Sequence, residues 1–152
     1  MNARMSADMS SSFSHCSLYK VTGRRTITRK GQGVRCDTAN YTYEVLCTDL
    51  AQKRMVPLIA AVKARETKSF GPFIAHEGEE IIYVLSGKIV LHTQYYAPTL
   101  LKTGDYAYFD SQMEHGCIAQ GIEDAEVFWV CSSSSVNELV RCAKDGSRPR
   151  KR

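Results

Sequence analysis

Short apolar runs separated by Gly, Pro, Asp and Asn repeat along most of the chain. The pattern predicts strands at Leu18–Thr22, Gly33–Cys36, Tyr41–Cys47, Met55–Lys63, Phe73–His76, Glu80–Leu85, Lys88–Gln94, Thr99–Leu101, Asp105–Asp110, Gly116–Ala119 and Ala125–Cys131. Ser86-Gly87, Thr103-Gly104-Asp105 and the stretch from Gly121 to Asp124 are turn signals. Many short strands punctuated in this way indicate an all-β sandwich or barrel. One helix is expected near the end. Ser135 and Glu138 have capping-box spacing, Leu139, Val140 and Cys142 supply an apolar side, and Gly146 and Pro149 stop it. The expected organisation is a disordered leader over 1–17, a barrel over 18–133, and a short helix with a basic tail over 134–152.

The run Glu80–Leu85 stands apart from the other strands. Ile81, Tyr83 and Leu85 share one face, and Ile82 and Val84 the other. A strand apolar on both faces is expected to be buried on both. A barrel wall covers only its inner face, so a second subunit is expected over the outer one, giving a homodimer.

Composition changes the picture little. The chain has 152 residues, enough for one domain with a core of its own, and 43% of them are apolar. The net charge of +4 is a property of the tail, since the stretch from Arg141 to Arg152 holds six basic residues and one acidic residue. The rest of the chain is close to neutral. Such a tail is expected to be solvated. Six cysteines follow no C-x-x-C or zinc-ribbon spacing, and no run has the length of a signal core or a membrane span. A cytoplasmic protein with reduced thiols is expected, without a membrane partner.

Three side chains suggest chemistry: His76, Glu80 and His115. On a straight strand His76 and Glu80 would lie on one face but roughly 13 Å apart, too far to share an ion. Gly78 between them permits a bend. Two imidazoles and a carboxylate form a facial ligand set with open positions, suited to Fe(II) and also to Zn, Mn or Ni.

The run from Phe70 to Gly87, reading FGPFIAHEGEEIIYVLSG, resembles the first cupin motif, in which a metal-binding Glu precedes a Gly by seven residues. Glu80 and Gly87 fit that spacing. The run from Gly104 to His115, reading GDYAYFDSQMEH, resembles the second motif, which ends in the last metal-binding His. The resemblance implies a single cupin barrel, a double-stranded β-helix or jelly roll, holding a divalent metal (Fe(II) or Zn first) on His76, Glu80 and His115. The sequence departs from the motifs at three positions. Ile74 stands where cupins usually have the first of two histidines, Asp110 where Pro is common, and Ala119 where Asn is common.

Within cupins, the wording of the first motif, with Tyr43-Glu44-Val45-Leu46 and Arg54-Met55-Val56-Pro57-Leu58, is similar to the sensor domains of bacterial helix-turn-helix regulators. That likeness implies a small ligand, with anions among the candidates, held in the barrel. The stretch before the first strand is too short for a helix-turn-helix unit, so direct sequence-specific DNA binding is not expected. The ligand pattern also resembles the hydroxypropylphosphonate epoxidase family, which implies a non-heme Fe(II) oxygenase or oxidase as the alternative function. That family holds its phosphonate with an upstream Arg and tyrosines, and Arg35, Tyr41 and Tyr43 lie in a comparable region. Ile74, Tyr106 and Tyr108 complete the expected ligand-binding set. His92 is expected at a solvated rim and Trp129 in the core. The resemblance assigns no catalytic acid or base.

Overall fold

The computed structural model describes residues 23–132. The elements in chain order are β1 (Val34–Asp37), β2 (Tyr41–Val45), β3 (Val56–Val62), α1 (Thr67–Phe70), β4 (Glu79–Ser86), β5 (Lys88–Thr93), β6 (Tyr96–Lys102), β7 (Tyr106–Asp110), β8 (His115–Ala119) and β9 (Ala125–Cys131). Six strands form one antiparallel sheet in the order β1-β2-β3-β9-β4-β7, and three form another in the order β6-β5-β8. This is the all-β barrel that the strand rhythm predicts. No helix among the described residues is long and apolar enough to cross a membrane. The expected leader, the strand Leu18–Thr22, the terminal helix and the basic tail lie outside the described residues.

Alternation builds the core. Val56, Leu58, Ala60 and Val62 of β3, Ile82 and Val84 of β4, and Ala125, Val127 and Trp129 of β9 all point inward and are buried. Register aligns them into rungs. Leu58, Trp129 and Ile82 lie side by side across three strands, and the next rung runs Val56, Cys131, Glu80, Phe109. Glu80 therefore sits on the inner face because it has the same parity as Ile82 and Val84. Tyr41 joins the two sheets. Its hydroxyl donates to the Cys117 carbonyl at 3.2 Å and accepts the Cys117 N–H at 2.9 Å.

Two expectations need correction. Phe73–His76 is not a strand, for only Ile74 bridges, to His115, and the remainder is loop. Its backbone bonds go to the β7–β8 turn instead: His76 N–H donates to Ser111 O at 2.9 Å, and Ser111 N–H to Gly78 O at 2.9 Å. The short helix α1 just before this loop was not expected. The outer face of β4 is left open by the described residues of the chain, the face over which a second subunit was expected. Ile81, Tyr83 and Leu85 are 42%, 41% and 38% exposed. Tyr106 and Tyr108 stand opposite Tyr83 and Ile81 in the β4–β7 register, so they share this outer face rather than the interior.

The loop over β8 depends on a missing side chain. Phe70 and Phe73 pack against each other and across Gly116, where an added Cβ would lie 2.6 Å from Phe73 and 2.8 Å from Phe70. Gly116→Val is expected to destabilise the protein by roughly 1–3 kcal/mol through overpacking. Chemical denaturation checks this, and an unchanged midpoint would contradict the packing described.

Candidate metal centre

Glu80 is 2% exposed inside an apolar barrel. A carboxylate in such a place is costly unless other groups meet its charge. Trp129 meets part of it, with its indole Nε1–H donating to Oε2 at 2.8 Å. Cys131, beside Glu80 in the register, places its thiol against the same carboxylate. Burial, with the nearby negative charge second, pushes the Cys131 thiol well up, so it stays protonated.

His76 reaches Glu80 because the chain turns between them. Gly78 takes φ = 110°, a conformation open to glycine and strained for other residues. With the two backbone bonds to Ser111, this turn brings His76 Nε2 to 2.9 Å from Glu80 Oε1. His115 opens β8, packed against Phe109 and edge-on to His76. Its Nε2 lies 3.4 Å from Glu80 Oε2.

The hydrogen bonds on the far side of each ring fix the chemistry. His115 Nδ1 is 2.7 Å from the Met113 carbonyl, and His76 Nδ1 is 3.1 Å from the Glu77 carbonyl. A carbonyl only accepts, so each Nδ1 carries the hydrogen. In the neutral rings both Nε2 atoms are then lone-pair acceptors, and they face a carboxylate that is also an acceptor. Three acceptors pointing at one another need a donor or a cation between them. A proton on His76 is one answer, and the Glu80 side chain, aided by the Glu77 carbonyl and opposed by burial, raises the His76 pKa. It leaves His115 Nε2 buried with no hydrogen-bond partner, since its 3.4 Å contact lacks hydrogen-bond geometry.

A divalent metal answers all three at once. Ligand atoms about 2.1 Å from one ion, at tetrahedral or octahedral angles, lie roughly 3.0–3.4 Å apart. His76 Nε2 lies 2.9 Å from Glu80 Oε1 and His115 Nε2 3.4 Å from Oε2, and one ligand atom from each residue falls within 4.8 Å of the others. The residues therefore fit a metal, and the backbone carbonyls and Trp129 are the outer partners that orient such ligands.

Beside the cluster lies a cavity of about 420 Å³, lined by Tyr41, Tyr43, Leu58, Phe70, Pro72, Ile74, Trp129 and Cys131, with Thr38, Asn40 and Gly116. Tyr41, Tyr43 and Ile74 are where the sequence places them. Burial raises the pKa of both tyrosines well above the ordinary value. Arg35, Tyr106 and Tyr108 are not in the lining. Arg35 pairs with Glu44 in the β1–β2 register, on the face opposite Tyr41 and Tyr43. It bonds Asp37 at 3.0 Å and borders a separate outer concavity. His92 stacks on Phe73, and its burial lowers its pKa. Sequence reasoning placed Trp129 in the core but missed its bond to Glu80. The period of β9 puts Trp129 and Cys131 inside, yet only the β4–β9 pairing shows that they flank a carboxylate.

Residues 64–131 match the family model of the cupin domain. No curated protein matches the chain. Solved structures do. The Fe(II) form of HppE is 20% identical, with a TM-score of 0.61 over 72% of this chain. Hydroxypropylphosphonic acid epoxidase from S. wedmorenis, in complex with fosfomycin, is 22% identical, with a TM-score of 0.59 over 70% of this chain and 59% of its own. An RmlC-like cupin from Shewanella frigidimarina is 13% identical, with a TM-score of 0.57 over 71% of this chain and 90% of its own. The chain spans only about 60% of the length of the epoxidase chains. At these identities the likeness establishes the fold, an all-β cupin barrel, of which residues 64–131 match the cupin-domain model.

Proposed function

We propose that this chain is a metal-dependent cupin that binds a small molecule in its barrel and acts as a non-heme Fe(II) oxygenase or oxidase. The observation that carries the proposal is the pair of imidazole Nε2 atoms turned, by their Nδ1–H bonds, onto a buried carboxylate beside a ligand-sized cavity. His76, Glu80 and His115 would hold the metal, which would supply Lewis acidity and, as Fe(II), redox chemistry with O₂. Trp129 and Cys131 hold the Glu80 carboxylate in place. The apolar walls exclude water and leave the open side of the ligand set facing the bound molecule. The Fe(II) form of HppE shares this fold, which supports the choice of iron.

A second reading is a sensor-type ligand-binding domain using the same cavity. The likeness of the first motif to regulator sensor domains favours it. Buried free thiols at Cys117 and Cys131 suit a cytoplasmic setting for either reading. The exposed apolar face of Ile81, Tyr83, Leu85, Tyr106 and Tyr108 supports a homodimer, because contiguous apolar patches of this kind mark association sites.

Elemental analysis of protein purified without oxygen is expected to show about one iron per chain, lost in Glu80→Gln. Trp129→Phe is expected to weaken metal binding about 10–100-fold. Oxygen uptake dependent on an added organic substrate favours the enzyme, whereas zinc without uptake favours the sensor. Wild type holding no more metal than Glu80→Gln would refute both.

Metal must displace the proton that His76 shares with Glu80. Apparent metal affinity is therefore expected to fall as pH drops through the raised His76 value and to level off above it. In the metal-free protein the sign reverses: the pair stabilises the fold below the ordinary His value, and that contribution fades as pH rises through the raised one. Competition titrations and denaturation across pH check both slopes. Light scattering should give twice 17.0 kDa, and a monomer mass would sink the dimer.

A further inference from the structure

We infer that the cavity takes a small molecule with an apolar or aromatic body and a single polar head, carrying at most one negative charge, directed at the metal, and not a phosphonate or other polyanion. The part concerning the head rests on the metal reading above. The part concerning the body stands on the walls alone.

The walls are Tyr43, Leu58, Phe70, Pro72, Ile74 and the Trp129 ring, and no Lys or Arg stands among the described lining residues. Most polar groups in the lining are engaged, and the Tyr43 hydroxyl offers one neutral donor rather than a cation. The Thr38 hydroxyl donates to the Tyr41 carbonyl at 3.0 Å and accepts the Tyr41 N–H at 3.0 Å. Asn40 Nδ2 donates to the Phe70 carbonyl at 2.8 Å, the Tyr41 hydroxyl is held by Cys117, and the Trp129 N–H by Glu80. Among the fully buried side-chain atoms of the described lining, His115 Nε2 is without a partner, and it belongs to the candidate metal cluster.

Charge gives the same answer. Glu80 offsets one of the two charges of a divalent ion, leaving one positive charge for the ligand. A dianionic phosphonate would leave net negative charge buried against apolar walls, which is unfavourable without further cations. The cations on this side of the barrel are committed elsewhere. Arg35 pairs with Asp37 on the outer face, and Lys63 bonds the Thr38 carbonyl at 2.6 Å and lies 4.0 Å from Asp37. By contrast, Tyr41 stands with its ring 5.3 Å from Tyr43 and 5.8 Å from Trp129, so the lining holds an aromatic cluster that suits an apolar or aromatic body. A cavity of about 420 Å³ is at the small end for ligand sites.

The test compares two probes, 4-methylphenol and propylphosphonate, by calorimetry on the full chain, metal-free and Zn(II)-loaded. Trp129 is the only tryptophan in the chain, so its emission reports events at the cavity wall. The expected result is 4-methylphenol binding at least about tenfold more tightly than propylphosphonate in both states, with a change in Trp129 emission. Ile74→Arg, at an exposed position in the lining, is expected to narrow or invert that ratio without loss of folding. Propylphosphonate binding as tightly as 4-methylphenol in either state would overturn the inference. So would 4-methylphenol binding that leaves the emission and the Ile74→Arg ratio unmoved. If the metal reading alone fails, Zn(II) does not load but the metal-free preference for 4-methylphenol persists. If the cavity reading alone fails, Zn(II) loads and the preference is absent.

Discussion

A buried carboxylate facing two imidazole lone pairs is the constraint around which this barrel is arranged. Glu80 is on the inner face because β4 alternates, and alternation cannot spare it while Ile82 and Val84 face the core. Its charge must then be met from the neighbouring strands and loops. Trp129 and Cys131 come from β9, His115 from the start of β8, and His76 from a loop clamped to the β7–β8 turn. Each imidazole is held from behind by a backbone carbonyl, which settles which nitrogen is free. The polar centre is thus assembled from segments far apart in the chain, and each is fixed by the backbone before any metal arrives.

The same alternation separates what lines the cavity from what does not. On β2 it turns Tyr41 and Tyr43 inward and Thr42 and Glu44 outward, and the β1–β2 register carries Arg35 outward with Glu44. On β7 it turns Phe109 inward and leaves Tyr106 and Tyr108 on the outer face with Ile81 and Tyr83. The cavity therefore lacks Arg35, the cation that the epoxidase resemblance would suggest, and keeps Tyr41 and Tyr43 among its aromatic walls. A likeness in ligand pattern does not by itself fix the cavity chemistry, since most of the wall residues come from other segments than the candidate ligands.

Much of this was legible in the sequence. The strands β2 to β9 follow from short apolar runs bounded by turn residues, and the Glu80–Gly87 spacing with His115 picks out the residues of the candidate metal cluster. Three things were not legible, each for a long-range reason. Phe73–His76 reads as a strand by composition, but its backbone groups bond Ser111, over thirty positions away, rather than a neighbouring strand throughout. Arg35, Tyr106 and Tyr108 carry the right chemistry, but their facing depends on register. The Trp129–Glu80 bond joins residues 49 positions apart, and no local pattern encodes it.

The central claim is that His76 and His115 both carry hydrogen on Nδ1 and aim bare Nε2 atoms at Glu80. Long-range ¹H–¹⁵N correlation spectra of the imidazoles test it most directly, recorded on metal-free protein above the raised His76 pKa and again after one equivalent of Zn(II). The account predicts the Nδ1–H form for both rings before metal and a shift of both Nε2 signals after it. Rings protonated on Nε2, or Nε2 signals that Zn(II) leaves unmoved, would contradict it.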